Sequence, residues 1–233
     1  MITLFLDQGI AEGAEIELPD SAAHHLRVRR AQQGDSVRLL DGRGAVATGS
    51  VAVIDKRVAT VVVHDVQSSP RPVDLVALVP VADRDRMLWA AEKCAELQIT
   101  AWQPVIYERS RSVAPRGEGD KFAAKVRLRM ESALEQSAGA WLPEVKPEID
   151  AADAWREVQA ATRLILQRGG APVTERISRG TVAFAVGPEG GFEKDEIEDA
   201  LRQGWSSVSL GHATLRFETA IVAAAAVIRA TQL

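Results

Sequence analysis

The chain has 233 residues, a length that suits one small and one medium-sized domain. Apolar residues make up 46% and charged residues 26% of it, which is typical of a globular protein and not of a disordered or fibrous one. The formal net charge of -4 excludes a surface that is basic throughout, although a local basic patch is compatible with it. The single cysteine, Cys94, cannot form an internal disulfide, and no segment is long and apolar enough to span a bilayer. We therefore expect a cytoplasmic protein without a membrane segment.

The amino-terminal part of the chain predicts a small domain of short strands. Beta-branched residues alternate with turn residues, and a helix is predicted at 21–31 with Asp20 or Ser21 as its cap. Closely spaced strands of this kind favour a small antiparallel barrel, whose loops or free face can bind a nucleic acid or a partner. The strands are predicted at residues 2–7, 14–18, 36–41, 45–55 and 58–66.

A domain boundary is predicted at residues 67–72, because the serines and prolines there favour extended backbone and turns. The predicted domains are residues 1–69 and 73–233. Beyond the boundary, strand and helix patterns alternate, which indicates an α/β domain with a largely parallel sheet. Strands are predicted at 73–80, 101–107, 163–167, 181–186 and 206–210, and helices at 84–97, at 121–137 and after each of the last two strands.

Two loops near the carboxyl terminus are the strongest candidates for a binding site. Residues 187–192 read Gly-Pro-Glu-Gly-Gly-Phe and residues 210–220 read Leu-Gly-His-Ala-Thr-Leu-Arg-Phe-Glu-Thr-Ala. Each loop follows a predicted buried strand and precedes a helix, so we expect the two turns to lie side by side at the carboxyl edge of the sheet, where ligands bind. The first loop matches neither the phosphate loop nor the dinucleotide fingerprint. Taken alone, it is equally compatible with a tight turn before a helix that has Glu193 at its N-terminus.

Two stretches of the chain are rich in basic residues. Residues 109–129 hold seven Lys or Arg and two acids, a local balance of +5 (7 minus 2), and residues 24–30 contain two histidines and three arginines. Both stretches can hold phosphates, and both can equally be solvated helix faces.

The two loops resemble those of the RsmE family of 16S ribosomal RNA uridine N3-methyltransferases, and the similarity extends over both predicted domains. It implies methyl transfer from S-adenosylmethionine to N3 of a uridine, at a site of the uridine 1498 type. Further similar stretches are His24-His25-Leu26 to Arg30 with Gly34-Asp35, Glu92-Lys93 with Ala95-Glu96-Leu97, Pro104 with Glu108-Arg109-Ser110, and Glu135-Gln136-Ser137 with Pro143.

The resemblance also implies a fold and an assembly. The fold is an α/β domain of the SPOUT type with a parallel sheet and a carboxyl-terminal trefoil knot, preceded by a small PUA-like β-barrel that binds RNA. The protein would act as a homodimer that pairs through the knot domain, without a metal ion. The alanines at 220–226, which also suit an ordinary helix, would let a second stretch of backbone pass close to the last helix.

Carried over residue by residue, the resemblance assigns three groups of site residues. For the catalytic group, Arg216 would stabilise the negative charge that spreads over O2 and O4 of the uridine, and Glu189 or Glu218 would take the imide proton. A structural ion pair between Arg216 and Glu218 is the alternative. The cofactor-binding residues would be Leu166, Gly187, Pro188, Glu189, Gly190, Leu210, Gly211 and Leu215, and the RNA-binding residues His25, Arg27, Arg30, Arg109 and Arg111.

The chain departs from the family pattern at two positions that would face RNA. Gly139 and Ala213 stand where the family usually has an arginine. Three alternatives therefore stay open: a knotted methyltransferase with another RNA target, a weakly active RNA-binding paralogue, and an unrelated α/β nucleotide-binding enzyme.

Overall fold

The computed structural model describes residues 1–112 and 115–232, the side chains of residues 111 and 112 excepted. The chain folds into two compact units. The first contains Met1–Arg71 and Glu131–Leu142, and the second contains Pro72–Met130 and Pro143–Leu233.

The first unit is built on a sheet of five strands, β1 to β5, in the order β1-β3-β4-β5-β2. Strand β1 pairs with β3 in parallel, whereas the other three pairs are antiparallel. The prediction of a purely antiparallel arrangement was wrong in this respect, because the chain between β1 and β3 makes the crossover that parallel neighbours need. The strands are Ile2–Phe5, Glu15–Glu17, Ser36–Leu40, Ala45–Ile54 and Ala59–Ser68.

Helix α1, Asp20–Val28, forms part of that crossover and buries Ala22, Ala23 and Leu26 in the core of the unit. The predicted cap was wrong: Pro19 holds the N-cap position with φ of -61°, and no side chain caps the helix. The helix also ends before the predicted residue 31, since Arg30 adopts a left-handed φ of 56°.

Residues 131–142 belong to the first unit although they follow residues of the second in sequence. The backbone N–H of Phe5 donates to Glu135 Oε1 at 2.9 Å, and the N–H of Gly44 donates to the Ala140 carbonyl at 2.9 Å. Trp141 Nε1 donates to the Ser69 carbonyl at 3.1 Å. The predicted domains, 1–69 and 73–233, divide the chain at one point only. These long-range bonds explain why residues 131–142 instead belong to the first unit.

The second unit contains a parallel sheet in the order β12-β10-β11-β6-β7-β8, with β9 paired to β7. Central strands β6 and β11 are buried almost throughout, as expected for a parallel sheet covered on both faces. The seven strands are Leu75–Pro80 (β6), Ala101–Ile106 (β7), Glu144–Val145 (β8), Ile149–Asp150 (β9), Thr162–Pro172 (β10), Val182–Val186 (β11) and Ser206–Ser209 (β12).

Among the described residues, five α-helices have residues in this unit, and of these α3 belongs to it only as far as Met130. Helix α6 packs against α2 and against strands β6 and β11. Both helices bury several alanines, Ala90, Ala91 and Ala95 on α2 and Ala220, Ala224 and Ala225 on α6, beside larger apolar side chains such as Met87 and Ile221. The helices are Arg84–Glu96 (α2), Asp120–Ser137 (α3), Ala151–Glu157 (α4), Lys194–Arg202 (α5) and Phe217–Gln232 (α6), with 3-10 turns at Glu108–Ser112 and Val173–Glu175.

Within the described residues, every helix is too short or too polar to cross a membrane.

Candidate active site

The carboxyl ends of three neighbouring strands converge on one edge of the sheet. Strands β11 and β12 each lead into one of the glycine-containing loops, and β10 lies between them. The two loops therefore lie at the same edge of the sheet, on either side of the end of β10. This end is irregular: the pairing of β10 with β12 shifts register between Leu166 and Ala171. A Cβ at Gly170 would lie 2.6 Å from the backbone N of Val208, so only glycine allows these two backbones to approach so closely.

A cavity of about 730 Å³ opens at this edge. Its size is that of a site for a cofactor or drug-sized ligand, and its walls combine apolar side chains with exposed backbone groups. The walls come from the end of β10, from both loops and from the start of helix α2. They include Arg86, Leu166, Gln167, Arg168, residues 186–192, Ile197, residues 209–211 and residues 213–217.

Phe192 anchors the first loop in the core. Its ring contacts Tyr107 edge-on, with centroids 5.0 Å apart, and lies 6.2 Å from the ring of Trp155. A Cβ at Gly187 would lie 3.2 Å from the Phe192 ring, so the glycine gives the aromatic side chain its space. Burial, and to a smaller extent the nearby Glu196 carboxylate, raises the pKa of Tyr107, whose phenol therefore stays neutral in this cluster.

Arg109 holds the same loop from the outside. Its guanidinium donates to Glu193 Oε1 at 2.8 Å and Oε2 at 3.2 Å, and also to the carbonyl of Gly190. Hydrogen bonding to the Glu193 carboxylate raises the pKa of Arg109. Glu196 completes the arrangement, since it accepts the backbone N–H groups of Glu193 at 2.7 Å and of Glu108 at 2.9 Å. Two interactions thus fix the first loop to the segment that follows β7. One is the bidentate ion pair between Arg109 and Glu193, and the other is the hydrogen bond from the Glu108 N–H to Glu196 in the first turn of α5.

The second loop begins with a tight turn. The Ser209 hydroxyl donates to the Gly211 carbonyl at 2.7 Å and accepts the Gly211 N–H at 3.1 Å. The loop ends at Arg216, which lines the cavity and is exposed. Among the described residues, the side chain of Arg216 has no hydrogen-bond or ion-pair partner, although its carbonyl accepts the N–H of Ala220 at 2.9 Å. Its guanidinium is therefore available to a ligand, and the expected alternative of an ion pair between Arg216 and Glu218 is not present there.

Arg86 connects the two loops through helix α2. Asp83 caps this helix by accepting the N–H of Arg86 at 3.1 Å, which fixes the arginine at the helix start. The Arg86 guanidinium forms an ion pair with Glu189 of the first loop, and its Nε lies 3.9 Å from Glu218 Oε1 in the first turn of α6. Glu218 is 9% exposed, and its Oε2 is buried without a hydrogen-bond partner among the described residues.

The structure brings the predicted cofactor-binding residues together. All eight line the one cavity, namely Leu166, Gly187, Pro188, Glu189, Gly190, Leu210, Gly211 and Leu215. Of the predicted catalytic residues, Glu189 and Arg216 line the cavity, whereas Glu218 is buried and lies within ion-pair distance of Arg86. Sequence reasoning missed Arg86 and Gln167. Asp83 was a local signal for the start of α2. Nothing in the neighbouring sequence indicated that Arg86 would face Glu189 and Glu218.

The predicted RNA-binding residues are divided between the two units. His25 Nδ1 lies 3.5 Å from Glu135 Oε2, Arg27 Nε donates to the Asp55 carbonyl at 2.8 Å, and Arg30 is exposed, all in the first unit. Arg109 lies in the second unit and is bound to Glu193. The side chain of Arg111 lies outside the described residues.

The site suits an organic ligand with an apolar and a polar part. Gly187 and Gly190 line the cavity, and the space that a side chain would take at each position is filled by Phe192 and Arg109, so the first loop forms a compact wall of the kind that suits a nucleoside. Within the described parts of the chain, no three histidine, cysteine or carboxylate side chains lie close enough together to hold a metal ion.

Comparisons with known proteins agree with this geometry. The family described as RNA methyltransferase domain matches residues 68–229, and the RNA methyltransferase PUA domain matches residues 18–63. A ribosomal RNA small subunit methyltransferase E from Synechocystis is 30% identical over 228 residues, covering 93% of this chain and 73% of the relative. One from Aquifex aeolicus is 28% identical over 212 residues, covering 88% of this chain and 90% of the relative.

The crystal structure of a ribosomal RNA small subunit methyltransferase E from Neisseria gonorrhoeae, bound to S-adenosyl methionine, has a TM-score of 0.90 to this chain. Its sequence is 30% identical, and the match covers 99% of this chain and 97% of that one. The predicted fold class, an α/β domain with a parallel sheet beside a PUA-like domain, is confirmed. The chain belongs to the ribosomal RNA small subunit methyltransferase E family.

Proposed function

We propose that this protein methylates N3 of a uridine in the 16S ribosomal RNA of the small ribosomal subunit, with S-adenosyl methionine as methyl donor. The observation that carries the proposal is the cavity at the β10, β11 and β12 ends, in which backbone-lined walls from both loops meet the exposed guanidinium of Arg216. Residues 73–233 would perform the transfer, and residues 1–69 would bind RNA. The reaction would take place in the cytoplasm.

The walls of the cavity would hold the donor. Leu166, Leu210 and Leu215 provide apolar surface, and the backbone of the two loops would supply N–H and C=O groups for a purine and a ribose, apart from the groups of Gly190 and Gly211 that already bond to Arg109 and Ser209. When bound, S-adenosyl methionine supplies an electrophilic methyl group on a sulfonium sulfur. Phe192 and the Arg109–Glu193 pair keep the first loop in the shape that the donor requires, before any ligand arrives.

The polar groups of the cavity would handle the charge that the uridine develops. N3 of uridine carries an imide proton, and its loss spreads negative charge over O2 and O4. Arg216 is exposed at the cavity and would stabilise this charge. Glu189 lines the cavity and would take the proton, whereas Glu218 would act through Arg86.

The proposal also includes a homodimer and a trefoil knot. Val222, Ala223, Ala226 and Val227 form a half-buried apolar row on helix α6, which supports pairing with a second copy. Close packing of the alanine-rich α6 against α2 supports threading in this region. Light scattering at micromolar concentration tests the assembly, and a stable monomer would contradict it.

Mapping of modified uridines in ribosomal RNA tests the activity. Cells that lack the gene should lose one N3-methyluridine from 16S ribosomal RNA, and purified protein with S-adenosyl methionine should restore it on isolated small subunits or on the free RNA. An unchanged level of N3-methyluridine would overturn the proposal. Methylation at another position or in another RNA would assign the chain a different target, and RNA binding without transfer would indicate a weakly active paralogue.

A further inference from the structure

Helix α3 carries a straight row of three exposed cations in the second unit. Lys121, Lys125 and Arg129 are four residues apart, so they lie on one face of the helix at steps of about 6 Å. Leu128, next to them on the same face, is 63% exposed. Within the described residues, none of the three cations has an ion-pair partner.

This absence of partners distinguishes the row from four cations on other helices of the unit. On α2, α4 and α5, each of these four is matched by a carboxylate on the same helix, three or four residues away. These pairs are Lys93 with Glu96, Arg156 with Asp153, Lys194 with Glu198 and Arg202 with Asp199. On α3, the residues four positions from Lys125 are Lys121 and Arg129, both of the same charge.

A row of like charges at this spacing destabilises the isolated helix, because neighbours four residues apart repel each other. The protein as a whole has a formal net charge of -4, so the row is not part of a general excess of basic residues. A ligand with regularly spaced negative charges would turn the repulsion into attraction. Exposed Leu128 offers an apolar contact between the charges.

The row begins beside the element that lines the cavity. The guanidinium carbon of Arg84, at the start of α2, lies 5.7 Å from the ring centroid of Phe122, the residue after Lys121. The N–H of Gly117 donates to the Ala82 carbonyl at 2.9 Å, so the residues that precede α3 are bonded to the residues that precede α2. Arg86, two residues after Arg84 on the same helix, lines the cavity. The first turn of α2 thus lies between the start of α3 and the cavity, with Arg84 on the side of α3 and Arg86 on the side of the cavity.

We propose that Lys121, Lys125 and Arg129 bind consecutive parts of the sugar-phosphate backbone next to the target nucleotide. This inference rests on the proposed function, since it requires an RNA substrate. Contacts of this kind carry no base specificity: they add affinity, fix the register of the strand and make binding depend on salt. The row would thus position the RNA while the cavity selects the nucleotide.

The test compares two triple variants that remove the same charge. One variant neutralises the row (Lys121→Gln, Lys125→Gln, Arg129→Gln), and the matched control neutralises three cations that have partners within their helices (Arg156→Gln, Lys194→Gln, Arg202→Gln). Binding to a small-subunit RNA fragment is measured at several salt concentrations. For the row variant, the slope of log K against log[salt] should fall by about 3, or about 1 for each contact. Smaller changes are expected for the control, and binding of S-adenosyl methionine should be equal in both.

A second measurement on the unmodified protein covers the case in which the row variant fails to fold. Acetylation of lysines, followed by mass spectrometry, should modify Lys121 and Lys125 more slowly with RNA present, whereas Lys194 reacts at the same rate. An unchanged salt slope in a folded row variant, or equal acetylation rates with and without RNA, would overturn this inference alone. If the wild-type protein neither binds nor methylates small-subunit RNA, it is the proposed function that fails.

Discussion

Arg86 Nε lies 3.9 Å from Glu218 Oε1, and the same guanidinium forms an ion pair with Glu189. One arginine at the start of α2 thus contacts a carboxylate in the first loop and another in the first turn of α6. Glu218 is largely buried, and its second oxygen has no hydrogen-bond partner among the described residues. A buried carboxylate needs a nearby cation to stay charged at low cost, so Arg86 stabilises the charge of Glu218 as well as the position of Glu189.

Replacement of this arginine should uncouple the two loops. In Arg86→Gln we expect the rate of methyl transfer, kcat, to fall by about 10²-fold, because a displaced Glu189 no longer meets the substrate correctly. Affinity for S-adenosyl methionine should change much less. The free energy of unfolding should decrease by about 1–3 kcal/mol, since the buried Glu218 loses the charge that faces it.

Single-turnover kinetics, calorimetric binding of the donor and urea denaturation measure these three effects. Arg156→Gln is the matched control, because Arg156 is an exposed arginine paired with Asp153 outside the site. Arg86→Lys keeps the charge but cannot reach both carboxylates, so it should restore stability more than rate. Equal losses of rate and of donor affinity in Arg86→Gln would contradict a positioning role.

Arg216 should contribute to the chemical step and little to donor binding. It is exposed at the cavity without a protein partner among the described residues, so its removal leaves no buried group unpaired. We expect Arg216→Ala to fold normally and to lose about 10²- to 10³-fold in kcat, the usual effect of removing one group that stabilises developing negative charge. Rapid-quench measurement of methyl transfer at saturating donor tests this prediction. An unchanged rate would exclude a catalytic role for Arg216.

Local sequence patterns predicted most of the elements and both loops, but not helix α4 or the short strands β8 and β9, and not the contacts between elements. The alternation of strands and helices gave the α/β class, and the glycines at 187 and 190 gave the loop that lines the cavity. The partners of Arg86 and Arg109 could not be predicted in this way: 103 residues separate Arg86 from Glu189, and 84 separate Arg109 from Glu193. Such pairs depend on the order of strands in the sheet, which no local pattern determines.

Cys94 should resist thiol reagents in the folded protein. Its side chain is fully buried on α2, and burial raises the pKa of the thiol well above its usual value, which leaves almost no reactive thiolate. Reaction with an aromatic disulfide reagent at pH 8 should be slow in buffer and complete within minutes in denaturing urea. Rapid labelling of the native protein would show that α2 opens locally, and with it the element that carries Arg86.

We predict that binding of the donor requires glycine at position 190, because any side chain there would collide with Arg109. Its φ lies outside the left-handed region, so the backbone itself accepts alanine, but a Cβ there would lie 2.9 Å from Arg109 Cδ and 3.3 Å from Arg109 Cβ. We expect Gly190→Ala to push Arg109 away from Glu193 and to weaken binding of S-adenosyl methionine about tenfold, a cost typical of modest overpacking. Isothermal titration calorimetry measures the affinity.

The matched control for this prediction is Gly9→Ala, because a Cβ at Gly9 meets no atom within 4 Å. A double-mutant cycle then identifies the cause. If the clash with Arg109 is responsible, Gly190→Ala should weaken donor binding little further in a protein that already carries Arg109→Ala. Additive losses in the double variant would mean that the alanine methyl group instead occupies space needed by the donor, and the loop would then act as a direct wall of the donor site, not through its ion pair.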